Sequence, residues 1–489
     1  MDDFALSKNN LERLKQLQQA SSGIPDSKSL DLAHAAARLS ETKTKQNRLD
    51  ATLLVYATLG RLRSQASNPS DAAIKVNDED SAASQVPDSL LADQQALGSL
   101  VGSLVANGLP ILPAEYGVGS AQDTEPDFSE CRLLAEISLA SLALICCLDD
   151  SIDLSNRDLL AIAAYTDASD PWSNDHSARF ADILLKQHLP DERRSDVILK
   201  ALLQDTLRPL FSRPSARLTV SGRPSRFDQP ASSPYDRVYH HETPQWKKTG
   251  CFVVSTFRYA IKSDTGLIAR HWPLYLPAIV ALAEDEATIF RVHGLQIMQL
   301  FLQACPSEII RSIGIGNVFR DTVFPTLLFL PTLTPEEESV RLLRPAYSVL
   351  IRLAELEPPF PNQQKQQLLD KLIRDGVAAG YTHASQHIRI VQVLMESLEA
   401  IVKCMGVYAV KHLQIISSIL TDPFAVLHPP TVITAAKALN TIIINCWPRS
   451  SEISRTLHSM WKQQGHNAPR RLHDIIQNEP HLRELFGES

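Results

Sequence analysis

The sequence predicts an all-α protein, an α-solenoid of stacked helical pairs. Three observations lead there. Apolar residues recur at helical spacing along most of the 489 residues. Leu, Ile and Ala carry the 44% hydrophobic content, while aromatics make up only 6% and there are 18 Gly, which disfavours sheets and hairpins. The 30 Pro fall mostly between periodic segments, where they stop helices.

The elements follow in chain order. Residues 1–64 read as N-terminal amphipathic helices, with one stripe at Leu11, Leu14 and Leu17 and another at Leu49, Leu53, Leu54, Ala57 and Leu62. Residues 65–89 are rich in Ser, Asp, Ala and Pro around Asn77-Asp78-Glu79-Asp80, which reads as a flexible linker or loop. Residues 90–211 read as N-terminal helical repeats. They hold a short helix in 90–112, an irregular stretch over 113–129, and helices at 129–148, 156–165, 177–188 and 191–211. The run Asp149-Asp150-Ser151-Ile152-Asp153 supplies good caps for the helix after it.

Residues 212–244 carry Pro214, Pro224, Pro230, Pro234 and Pro244 with Arg213, Arg217, Arg223 and Arg226, and read as a Pro/Arg-rich loop. From 245 to 489 helices are dense. They are expected at 245–262, 272–283, 286–304, 306–313, 316–329, 335–356, 361–379, 384–404, 406–421 and 429–446. One stripe there is Ile388, Val391, Leu394 or Met395, Leu398 and Val402, and another is Val432, Ala436, Leu439, Ile443 and Cys446. Successive pairs recur at roughly 40 residues, which suits divergent HEAT/armadillo-like pairs. A polar tail at 451–489 would cap the stack.

A formal net charge of −7 argues against a general nucleic-acid binder. The seven Cys show no CxxC spacing and sit mostly in apolar helices, as reduced core residues of a cytoplasmic or nuclear protein do. Residues 1–3 begin no signal peptide, and the apolar run 139–148 falls short of the roughly 20 residues of a membrane span.

Asp149, Asp150 and Asp153 are read as caps or surface groups before acid/base or metal chemistry. His240-His241 lack a partner at ligand spacing, so no metal is expected. Gly314-Ile315-Gly316 lacks the third Gly and the preceding strand of a nucleotide cradle, so no cofactor is expected, and a helix–helix turn is read there. Trp246 and Trp272 stand at helix starts, Trp246 with Lys247 and Trp272 with Pro273. Either is a packing anchor or a protein-binding hot spot. Asp285 and Arg291, six apart, are read as ladder or turn residues.

The stretch 243–356 carries an ordered set of marks. They are Pro244-x-Trp246-Lys247, the run from Phe252 to Phe257, His271-Trp272-Pro273-Leu274 and Pro277. Then come Glu284-Asp285, Arg291, Gly294, Gly314-x-Gly316-x-Val318-Phe319 and Leu330-Pro331-x-Leu333-Thr334-Pro335-Glu336. In order and spacing this stretch resembles the TTI-two family, the TELO-two-interacting proteins of the second type. Glu284 stands where a second Asp is common, Arg291 where Lys is common, and Pro277 alone where two prolines are expected. Residues 1–130 carry no mark of the family.

The resemblance implies a non-catalytic scaffold subunit of the Triple-T co-chaperone complex, without cofactor or metal. Its partners would be TELO-two and TTI-one homologues. Indirectly they would be the heat-shock-ninety chaperone, a RuvB-like ATPase adaptor complex and the phosphatidylinositol-3-kinase-related kinases of the TOR, ATM and ATR types. No nucleic acid and no membrane is implied, and the location would be cytoplasmic and nuclear. The residues to which it gives weight, as interaction or packing anchors, are Pro244, Trp246, Lys247, Trp272, Pro273, Asp285, Arg291, Gly294, Gly316 and Pro335. Helical periodicity alone would equally fit a HEAT-repeat adaptor in transport or trafficking.

Overall fold

The computed structural model describes residues 5–20, 39, 45–67, 94–108, 127–149, 151–211, 223, 224, 247, 252–421 and 428–446. The tail 451–489, the expected loop 212–244 apart from residues 223 and 224, and nearly all of the linker 65–89 lie outside these residues. The described elements are helical throughout, and no strand occurs among them. Two compact units divide the chain. One takes Met1–Ser212 and Tyr235–Leu267, the other Arg213–Pro234 and Ile268–Ser489.

The first unit contains α1 (Lys8–Ala20), α2 (Lys45–Ser67), α3 (Gln94–Gly108) and α4 (Ser129–Leu148). They are followed by α5 (Asn156–Ala163), α6 (Asp175–His188) and α7. The last is built from Asp191–Asp196, a π-helical run Val197–Leu207 and Arg208–Leu210. Then comes α8 (Val253–Ser263). The centre is α4. Residues 135 through 146 are buried without interruption, so this stretch of the helix is enclosed on every side, and α2, α3 and α6 pack on it. The helix is long and apolar enough to cross a membrane by length and composition, but 67% of its apolar window is buried inside the fold, as in the core helix of a globular unit.

Glu136 is the exception inside α4. Its carboxylate is fully buried and accepts hydrogen bonds from the Ser7 amide (2.5 Å) and the Asn174 side chain (2.9 Å). It thereby ties the start of α1 to the N-cap of α6. That cap is a reciprocal box in which Asn174 and Ser177 each satisfy the other's backbone amide. At α5 the cap is Ser155, boxed with Asp158, and not a Ser or Asp of the run 149–153 expected to serve there. Asp149 turns its own loop by accepting from the Ser151 amide, Asp153 pairs with Arg193 at 2.7 Å, and Asp150 lies outside the described residues.

The domain boundary differs from the one at 245 read from composition. Helix α8 packs on α5 and α7 and belongs to the first unit. The cause is a buried polar network. Arg258 lies on the apolar stripe Val254, Phe257, Arg258, Ile261, and its side chain is only 6% exposed. Its guanidinium bonds Asp167 at 3.0 Å and Asp170 at 3.1 Å, and the Ser255 hydroxyl donates to Asp170. The Thr256 hydroxyl donates to the Leu160 carbonyl at 3.0 Å, and the Ser195 hydroxyl to Asp264. Burial raises the Asp170 pKa, only partly offset by Arg258 and Ser255. At Asp167 burial also opposes ionisation, but Ser169 and Arg258 outweigh it and hold the carboxyl well below the usual range.

The second unit takes most of α9 (Thr265–Ala283), then α10 (Thr288–Ala304), α11 (Ser307–Ile313) and α12 (Ile315–Val323), which runs into a 3-10 turn, Phe324–Leu328. Next are α13 (Glu336–Leu356) and α14, formed by Gln363–Lys371, a π segment Leu372–Ala378 and Ala379–Ala384. Last come α15 (Ile388–Met405), a 3-10 turn Gly406–His412 with α16 (Leu413–Thr421), and α17 (Pro429–Asn445). The long helices pack in chain order, α10 on α13, α13 on α15 and α15 on α17. Ion pairs ladder α13 to α15, with Arg344 to Glu396 at 2.9 Å and Arg389 to Glu337 at 3.0 Å. Such pairs add little energy at the surface but fix register.

Of the predicted stripes, α15 buries Val391, Leu394, Met395, Leu398 and Val402 but leaves Ile388 37% exposed, and α17 buries Ile442 in preference to Ile443. Cys146, Cys305 and Cys446 are buried and reduced, whereas Cys147 is exposed and Cys251 lies outside the described residues.

Removing one partner of a buried ion pair strands the other charge. Arg258→Ala is therefore expected to destabilise the protein by about 3–5 kcal/mol in urea unfolding. Asp167 is depressed in the fold, so its contribution is present above the unfolded carboxyl pKa of about 3.9 and is lost as pH falls through and below it. Melting curves of Asp167→Asn should therefore differ from the parent more at pH 7 than at pH 3.

Candidate interaction surface and its turn residues

The family marks converge on the hairpin of α9 and α10. Helix α9 starts at Thr265, earlier than the 272 expected, because His271 (φ −124°, ψ 23°) breaks it and the periodic part resumes after the break. Pro273 comes two residues past the break, near the start of the resumed helix, where a missing amide costs nothing. Trp272 is buried, 8% exposed, so its ring is a packing anchor of the helix. It stands about 16 Å along α9 from Ala283 and so does not join the residues at the turn.

At the turn, the Asp285 carboxylate accepts from the Ala287 amide at 2.8 Å and opens α10. Arg291, one turn into α10, reaches back. Its Nε donates to the Asp285 carbonyl at 2.9 Å and its Nη2 to the Glu284 carbonyl at 3.4 Å. These two carbonyls belong to the turn that directly follows α9. The same guanidinium lies 4.3 Å from the centroid of the Phe329 ring. Burial lowers the Arg291 pKa, countered by Asp285, Glu284 and Glu286. The Thr322 hydroxyl donates to the Glu284 carboxylate at 3.4 Å, which adds α12 to the turn.

Gly294 explains itself by distance. A Cβ there would stand 2.4 Å from the Ala283 backbone nitrogen and 2.6 Å from the Leu282 carbonyl carbon. Helices α9 and α10 therefore meet backbone to backbone, which only Gly permits. Gly316 carries no such demand, its nearest neighbours to a Cβ being 3.8 and 3.9 Å away. In that motif the constrained residue is Gly314, left-handed at φ +81° between α11 and α12.

Pro335 is the N-cap of α13, its carbonyl accepting from the Ser339 amide at 2.9 Å, and Glu336, Glu337 and Glu338 fill the first turn, complementing the helix dipole. Lys247 is helical and half-buried, while Pro244 and Trp246 lie outside the described residues.

The loop between α12 and α13 runs over these clasped residues. Leu327, Leu330 and Pro331 are buried, while Leu328 and Leu333 are 69% and 91% exposed. Thr332, just before Leu333, has φ +146°, a conformation that suits Gly and costs a β-branched residue about 1–3 kcal/mol. Lys371 lies 4.0 Å over the Phe324 ring at the loop's start. Among the described residues, no three His, Cys, Asp or Glu side chains gather as metal ligands.

A model of the Tti2 family matches residues 159–427, more than half of the chain. This chain belongs to the Tti2 family. The match runs from α5 through α16 and is wider at both ends than the 243–356 stretch that carries the resemblance. No curated protein and no solved structure matches the chain. The Tti2 match also takes in the Asp167–Asp170–Arg258 network, which no motif announced. Its one signal in sequence is an arginine on an otherwise apolar helical stripe, since a core charge requires a buried partner.

Gly294→Ala and Gly316→Ala separate two roles for glycine. Alanine gains up to about 1 kcal/mol of helix propensity at each site. At 294 backbone overlap outweighs that gain, so a net loss of about 1–3 kcal/mol is expected, while at 316 melting should be unchanged or slightly higher. Trp272→Ala should lose about 3–5 kcal/mol by the same measurement.

Proposed function

We propose that this Tti2-family chain is a non-catalytic scaffold subunit of a Triple-T assembly, bound to TELO-two and TTI-one homologues. The observation that carries this reading is the family match over 159–427. Beside it stands the role of the marked residues. Arg291, Asp285 and Gly294 spend their polar atoms and their lack of a side chain on holding two helices together. A scaffold is a reading in which such residues matter for shape. Stacked helical pairs would form a solenoid whose ridges offer long binding surfaces, with affinity concentrated in a few anchors.

In this reading the assembly works with the heat-shock-ninety chaperone and a RuvB-like ATPase adaptor. It matures phosphatidylinositol-3-kinase-related kinases of the TOR, ATM and ATR types, in cytoplasm and nucleus.

Co-expression with a TTI-one homologue should yield one co-eluting complex in size-exclusion chromatography. Absence of association at micromolar concentration contradicts the reading.

A further inference from the structure

Isolated exposed leucines are ordinary on a protein surface. Leu333 differs in how firmly its backbone is held. Its own amide and that of Thr334 both donate to the Leu330 carbonyl, at 3.4 and 3.2 Å. The Ser339 hydroxyl donates to the Thr334 carbonyl at 3.4 Å, and Pro335 fixes the chain as it enters α13. Upstream, Leu330 and Pro331 are buried and Phe329 lies under Arg291. Thr332 is held at φ +146° in the middle of this frame. Strain of that kind persists where surrounding structure imposes it, and it concentrates at binding sites. The result is an apolar side chain, 91% exposed, on a backbone with little freedom left to lose on docking.

The surroundings are acidic. Three glutamates, Glu336, Glu337 and Glu338, follow within five residues against two basic side chains: Glu336 meets His387, and Glu337, 69% exposed, pairs with Arg389. We propose that Leu333 is a docking knob, and that its occupant is an apolar socket bordered by lysine or arginine on a partner protein. The proposal rests on the scaffold reading above. It adds the point of contact and the chemistry of the matching surface. The apolar knob would supply affinity, and the glutamates would steer association.

The test uses the full chain and a purified TTI-one homologue. Leu333→Asp and Leu333→Ser should each raise Kd by at least about tenfold while the melting temperature stays at the parent value, because the side chain packs on almost nothing. Leu333→Met should bind within about twofold of the parent. Glu338→Gln, which leaves the Glu337–Arg389 pair intact, should slow association and flatten its dependence on salt. Parent-like binding by Leu333→Asp overturns the knob and leaves the scaffold reading standing. No binding by the parent chain removes both.

Discussion

Contact between the backbones of α9 and α10 at Gly294 is the constraint on which the marked half of the second unit depends. With a Cβ-to-nitrogen distance of 2.4 Å to Ala283, the two helices touch without intervening side chains. Everything at that end of the hairpin follows from it. The turn must reverse the chain within four residues, 284–287, so its first two carbonyls, those of Glu284 and Asp285, fall where Arg291 can reach them. Arg291 in turn lies on Phe329, which sets where the loop from α12 to α13 leaves the core. The clasp needs a planar, multiply donating cation that also stacks. Lysine could reach a carbonyl but could not provide both functions. Arginine at position 291 thus has a physical account in this chain.

The first unit answers the same problem with buried charge. Its centre, residues 135–146 of α4, is enclosed on all sides, and polar links attach the outer pieces. Glu136 holds the start of α1 and the N-cap of α6, while Arg258 with Asp167 and Asp170 holds α8. Such links cost desolvation and return it only when every partner is present. They specify which helix docks where. Hydrophobic burial alone would let a short helix such as α8 slide.

Much of the helical content was legible in sequence, because long apolar stripes at period 3.6 are unambiguous. The expected 129–148, 429–446 and 335–356 agree with α4, α17 and α13 to within a residue. The roles of Asp285 and Gly294 were partly legible as turn and packing signals. Three things were not. The break at His271 has no signature apart from the prolines after it. The cap of α5 fell on Ser155 although nearby aspartates have similar propensity, because register against Asp158 decides it. The assignment of α8 to the first unit rests on a contact 88 residues apart in sequence, Arg258 to Asp170, which no local pattern contains. The exposure of Leu333 was hidden for the same reason. A leucine between a threonine and a turn reads as core until the fold shows which side it faces.

The central claim is that the marked residues of the hairpin act within the fold, and that the adjoining loop meets the partner. Amide hydrogen exchange on the free chain and on its complex with a TTI-one homologue tests this most directly. The account predicts that amides in 290–294 are protected already in the free chain and do not change on binding. New protection should appear in 328–338. Protection gained on binding across 284–294, with none at 328–338, would contradict it.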